Sequence, residues 1–272
     1  MKKLALISTI FFIASGVFAQ EKKDTTTIYF GNSKILIVSD NEKVSIENND
    51  TITIEDDDTM HVKKNKFNGH WAGVDVGLNG YMYNNNSMSL TGTDRSLSLN
   101  QAKSWNISLN FAEVNMKLVK NYIGITTGLG LQFNNYRFDK SIKLISDSAS
   151  LTYFNDTIKY NKNKLIVTYL TLPILFDFQI PVGEHDRIHL TAGVVGGLRI
   201  GTHTKQVFDL NGNENKEKQR EDFHLSPFQY GLTARLGYNG VGVFVNYSLS
   251  SLFKDGEGPE LYPWSAGLSF SF

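Results

Sequence analysis

The chain has 272 residues, zero formal net charge, 41% hydrophobic residues and no cysteine. Zero charge gives nucleic-acid binding no electrostatic support. The missing cysteine excludes disulfides, thiolate metal sites and cysteine nucleophiles together.

Met1-Lys-Lys3 is basic, Leu4 to Phe18 is mostly apolar, and Val17 and Ala19 occupy the positions a signal peptidase reads. This pattern predicts a secretory signal over residues 1–19, cut between Ala19 and Gln20. The apolar run is too short to span a bilayer comfortably. Residues 20–66 are rich in Thr, Asn, Asp, Glu and Lys, with brief apolar patches such as Ile35–Val38 and an acidic run, Glu55–Asp58. They read as a periplasmic segment that is either two to four short strands or a disordered tether.

From residue 67 to 272 a two-residue period recurs, as in strands that send alternate side chains to opposite faces. Eight strands are predicted, near Trp71–Tyr83, Ser104–Leu118, Tyr122–Phe138, Leu165–Ile180, Arg187–Ile200, Pro227–Tyr238, Val241–Leu252 and Trp264–Phe272. In the second strand the parity slips, which predicts a bulge near Ala112-Glu113. In the last, Trp264, Ala266, Leu268, Phe270 and Phe272 alternate with Ser and Gly. Long connections (Asn84–Lys103, Asp139–Lys164, Gly201–Ser226, Phe253–Leu261) alternate strictly with short ones (Val119–Asn121, Pro181–Asp186, Asn239-Gly240). An even strand number with long and short links in turn predicts an all-β, eight-stranded antiparallel transmembrane β-barrel. The short turns and both ends of the barrel should face the periplasm, and the long loops the outside. Trp71, Tyr81, Tyr83, Tyr122, Tyr238, Tyr247 and Trp264 read as aromatic girdles. A soluble lipocalin-like barrel would also alternate, but its outer face should carry more charge than the Gly, Ser and Thr found here.

Phe67-Asn-Gly-His-Trp-Ala-Gly-Val-Asp-Val-Gly77, Tyr169-Leu-Thr-Leu-Pro-Ile174 and the closing aromatic strand resemble the PorT-like outer-membrane β-barrel domain proteins of Gram-negative bacteria. The resemblance implies outer-membrane lipids as surroundings and the barrel-assembly machinery as a partner during biogenesis. It implies a barrel-assembly signal at Phe272 with Phe270, Leu268 and Trp264. No residue here carries over the secretion-system role linked to PorT itself.

An eight-stranded barrel is just wide enough for side chains to fill it. Parity turns Asp75, Asp177, His189 and Arg235 inward at similar depth, near the periplasmic end, and predicts a lumen charge network that persists because its members pair. Arg199 is expected nearer the outer rim, among loop acids. His203, Asp209, Glu221, Asp222 and His224 share one long connection, but their spacing singles out no catalytic triad. His185 and His189 are divided by a turn and make no metal-ligand pair, so neither catalysis, a metal nor a cofactor is expected. The reading is an outer-membrane barrel with a structural or surface-interaction role. The alternative is a component of an envelope secretion or assembly system, acting through residues 20–66 on a periplasmic partner.

Overall fold

The computed structural model describes residues 67–83, 87–119, 122–146, 149–182 and 186–272, and the backbone of 25–30, 33–38 and 44–47. The expected signal peptide with its cleavage point, the acidic run Glu55–Asp58 and His185 lie outside the described residues. By contacts the chain divides into Met1–Val62 and Lys63–Phe272. In the first unit β1 (Thr25–Phe30), β2 (Ser33–Val38) and β3 (Val44–Glu47) form an antiparallel sheet in chain order.

In the second unit β4 (Gly73–Tyr83), β5 (Trp105–Val119), β6 (Ile123–Arg137), β9 (Tyr160–Val182), β10 (Asp186–Leu210), β12 (Phe228–Tyr238), β13 (Val241–Ser248) and β14 (Leu261–Ser271) each pair antiparallel with their neighbours. β14 pairs β4 from Leu261↔Tyr83 to Ser271↔Gly73, and β10 pairs both β9 and β12, so the ring of eight is closed. Closure leaves no open edge in the wall, where each unpaired backbone group in hydrocarbon would cost several kcal/mol. At one end the links are short. Between β12 and β13 Asn239 (φ 46°) and Gly240 (φ 86°) make a two-residue turn whose left-handed backbone matches the strand twist. This end is called the turn end, and the opposite one the loop end.

Alternation sorts the side chains as the sequence pattern requires. Ile107, Leu109, Leu172, Ile174, Phe176, Val194, Leu232, Val243 and Leu268 are outward and 39–51% exposed, while Asn106, Ser108, Thr171, Asp177, Thr191, Thr233 and Ser269 point inward and are buried. This inverts the lipocalin arrangement. Apolar groups on an unbroken outer belt are stable only against hydrocarbon.

One irregularity of the unit follows the sequence expectation, and two parts differ from it. The register shift in β5 falls between Asn110 and Ala112, close to the predicted bulge, and it turns Glu113 toward the lumen. β9 and β10 run for 23 and 25 residues, beyond the expected ends, with register shifts between Arg199 and Gly201 and between Val207 and Phe208. The polar stretch Gly201–Gln206 looked like loop because neither face is apolar. Finally, Trp71 and Tyr81 are 3% and 7% exposed inside the wall, so neither belongs to a girdle. Both share the inward parity of Asp75, which outweighs aromatic character. Tyr122 and Tyr238 do lie exposed at the turn end, and Trp105, Phe228 and Tyr230 are exposed toward the loop end.

The long connections are not free loops. They include β7 (Ile142–Ile145) paired with β8 (Thr152–Asn155), β11 (Asn213–Gln219) paired with the far half of β10, and short 3-10 turns at Gly92–Leu97 and Gln101–Lys103. Leu90, Leu97, Phe138, Ile142, Leu144, Leu151, Phe223, Leu225, Leu252 and Phe253 join Tyr81, Tyr136, Leu165, Val167, Tyr169 and Leu261 in one buried apolar cluster. The loop end is therefore a cap with its own hydrophobic core.

Candidate functional site: the filled lumen and the cap

The residues before β4 enter the barrel. Residues 67–72 form a strap across the turn end of the lumen. Phe67 packs where Gly124 has no side chain: a Cβ there would stand 2.4 Å from the Phe67 ring. The Asn68 carbonyl accepts a hydrogen bond from the Gln179 side chain. The inward-turned Glu113 carboxylate accepts from the Trp71 and Ala72 N–H groups, at 2.8 and 2.7 Å. Charge-assisted bonds of this kind are about twice as strong as neutral ones.

Beside the strap, Arg235 and Asp75 form a bidentate ion pair at 3.0 and 2.7 Å. Both are nearly inaccessible, at 4% and 1%. Asn110 and Ser269 complete the polar shell at 3.0 and 3.3 Å. The Arg235 guanidinium also lies 4.6 Å from the Trp71 ring centroid and 5.8 Å from that of Phe244, within cation–π range. Asp177 does not join this pair. It accepts from His70 of the strap at 3.3 Å, and His70 stacks on His189 with centroids 3.7 Å apart. Gly237 gives His189 its room, since a Cβ there would meet the ring at 2.2 Å. The four residues named from the sequence thus form two groups, Asp75 with Arg235 and Asp177 with His189, bridged by His70 and Trp71. The sequence reading missed His70, Trp71 and Glu113 as lumen residues. The one signal for Glu113 was the parity slip beside it.

Toward the loop end the lumen keeps a cavity of about 50 Å³ whose lining mixes polar and apolar groups, with Ser108, Gln132, Asn134, Thr171, Gln229 and Asn246 among the polar ones. Trp71 and Arg235 line its turn-end side, and Tyr136, 1% exposed, its other side. That volume holds a few water molecules.

The cap is stitched by polar contacts around His224. Its Nδ1 lies 2.7 Å from a Glu257 carboxylate oxygen and its Nε2 3.1 Å from the Ser146 carbonyl. Both partners are acceptors, so the ring serves both only as imidazolium, each nitrogen donating. Lys254 bonds Asp222 at 3.1 Å and Glu257 at 3.4 Å. Phe223 and His224 have φ of 48° and 55°, left-handed values that cost non-glycine residues of order 1–3 kcal/mol each and persist where surroundings over-determine them. Arg199 donates to the Asp222 carbonyl at 3.2 Å rather than to a loop carboxylate. His203 and Asp209 sit on β10, whereas Asp222 accepts from the His224 backbone N–H at 3.1 Å and Glu221 accepts from the Ser146 hydroxyl.

The hydrogen bond to Glu257 raises the His224 pKa, and the same bond holds Glu257 below its usual value. The raised His224 value adds stability in full below the ordinary histidine pKa, and that stability is lost as pH rises through the raised value. The depressed Glu257 value adds stability above the ordinary carboxylate pKa, lost as pH falls through the depressed one. The latch is therefore tightest between about pH 4.5 and 6.5. Amides around Ser146 and His224 should exchange faster at pH 8.5 than at pH 6, after correction for intrinsic rates. In His224→Ala that corrected difference should disappear. Equal protection of the intact cap at both pH values would refute the latch.

The outer membrane protein β-barrel domain model matches residues 63–254. The chain belongs to that family. It is an outer-membrane β-barrel. Among solved structures it is similar to the attachment invasion locus protein Ail of Yersinia pestis, with 12% identity and a TM-score of 0.28 over 74% of this chain and 99% of that one. No match was found among curated proteins.

Proposed function

We propose that this protein is a closed, non-conducting, non-catalytic outer-membrane barrel that presents the folded cap as a contact surface outside the cell. Residues 1–19 act as a cleaved signal peptide. Residues 20–66 and the C-terminus lie in the periplasm, and Trp264, Leu268, Phe270 and Phe272 form the barrel-assembly signal. The observation that carries the reading is the shared apolar core of the cap. It fixes the long connections as one rigid surface, while the strap and the Asp75–Arg235 pair fill the lumen below.

The absence of native cysteine allows a clean test. Lys216→Cys, at an exposed position of β11, should react with a membrane-impermeant maleimide on intact cells. Labelling only after the envelope is permeabilised would reverse the orientation. In planar bilayers the purified full chain should give no resolved channel steps, and a steady open channel would refute the filled lumen.

A second reading is a PorT-like component of an envelope secretion or assembly system, acting through residues 20–66. It is favoured by the strap, because a pull on the segment preceding Phe67 would act directly on the lumen contacts. Deleting residues 20–62 should leave a folded, surface-labelled barrel. Loss of a cross-linked envelope partner in that variant would favour this second role over the first.

A further inference from the structure

Beyond the lipid-facing belt, the outer face of the wall carries a row of cations in direct cross-strand register. Arg137 of β6 pairs with Lys164 of β9, Lys164 with Lys205 of β10, and Lys205 with Lys218 of β11. Directly opposed residues of an antiparallel pair share a face, and like charges there are destabilising. Four in succession is a cost that the fold itself does not offset. Among the described residues no carboxylate forms an ion pair with any of the four. Lys164 bonds the neutral Asn135 at 2.6 Å, and Arg137 donates to the Asn161 carbonyl.

The position of the row identifies its counter-charge. On β9 the positions of outward parity run from Leu172 and Leu170 of the belt through Thr168 and the covered Ile166, 9% exposed, to Lys164. The six steps from Leu170 to Lys164 span about 20 Å along a tilted strand. The row thus stands at the headgroup level, where long basic side chains can reach back to the interface. Opposed lysines flanked by an arginine suit phosphate groups, with the arginine able to bind two oxygens at once.

We infer that Arg137, Lys164, Lys205 and Lys218 form a docking shelf for the phosphate groups of an anionic glycolipid in the surrounding outer leaflet. The inference rests on the loop end lying outside the cell. Binding in a nanodisc does not depend on the direction of insertion in cells, so its failure is distinguishable from failure of the Lys216→Cys labelling.

The test places the full chain in phosphatidylcholine nanodiscs containing lipid A, and counts retained lipid A by native mass spectrometry. Lys164→Gln/Lys205→Gln/Lys218→Gln should lower apparent affinity on the order of a hundredfold, about fivefold per charge removed. Lys164→Arg/Lys205→Arg/Lys218→Arg should keep it. Dephosphorylated lipid A should bind the unaltered protein as weakly as phosphorylated lipid A binds the Gln variant, an arm that remains decisive if that variant fails to fold. Equal affinity for phosphorylated and dephosphorylated lipid A, or undiminished binding by a folded Gln variant, would overturn the shelf. Displacement of lipid A by millimolar inorganic phosphate would overturn the lipid assignment, because the site would then read free anions.

Discussion

Arg235→Leu is expected to lower the unfolding free energy of the barrel by about 3–5 kcal/mol, read as a shift in the urea midpoint in lipid vesicles. Among the described residues, the substitution removes the one cation within ion-pair distance of the buried Asp75 carboxylate and leaves it only Asn110 as a side-chain donor. It also strips the Trp71 and Phe244 rings of the cation they face. Removing both charges is a different perturbation. Asp75→Asn/Arg235→Gln leaves polar groups that can bond each other, and it should recover most of the loss, since a buried pair contributes little net over a neutral replacement. A single variant within 1 kcal/mol of the unaltered protein would mean that water reaches the pair.

Glu113→Ala should release the strap while sparing the wall. The carboxylate is the acceptor for two successive backbone donors, and each N–H left unpaired in a buried setting costs about 1–3 kcal/mol. Amides of residues 69–72 should exchange on the order of a hundredfold faster, a loss of roughly 3 kcal/mol of local protection. Amides on β12 and β13 should be unchanged, because their ladders do not involve the strap. Unaltered protection at Trp71 and Ala72 would show that Phe67 packing and the His70 stack hold the strap unaided. Fast exchange across the whole wall would show that strap and barrel open as one unit.

The wall was legible in the sequence because lipid enforces a strict period of two. One face meets hydrocarbon along the length of each strand, so Leu232 and Val243 sit outward, and Asp75 and Arg235 inward, by counting alone. The pair itself was harder to read, because its partners come from strands far apart in sequence. Asp177 lies at the expected depth yet takes a partner from residue 70, which alternation treated as the approach to a strand. The cap was not legible. Its apolar residues, such as Leu97, Ile142 with Leu144, and Phe223 with Leu225, fall in groups of one or two within polar sequence, too short to establish a period. Only the tertiary fold gathers them.

The seam between β4 and β14 joins the first wall strand to be synthesised to the last. Until Leu261–Ser271 emerges, the nascent sheet has two raw borders, each able to accept a strand from another chain. Pairing partners so distant along the polymer is entropically slow. Loss of the final eleven residues would therefore convert a sealed cylinder into a self-adhesive ribbon, rather than merely weaken it.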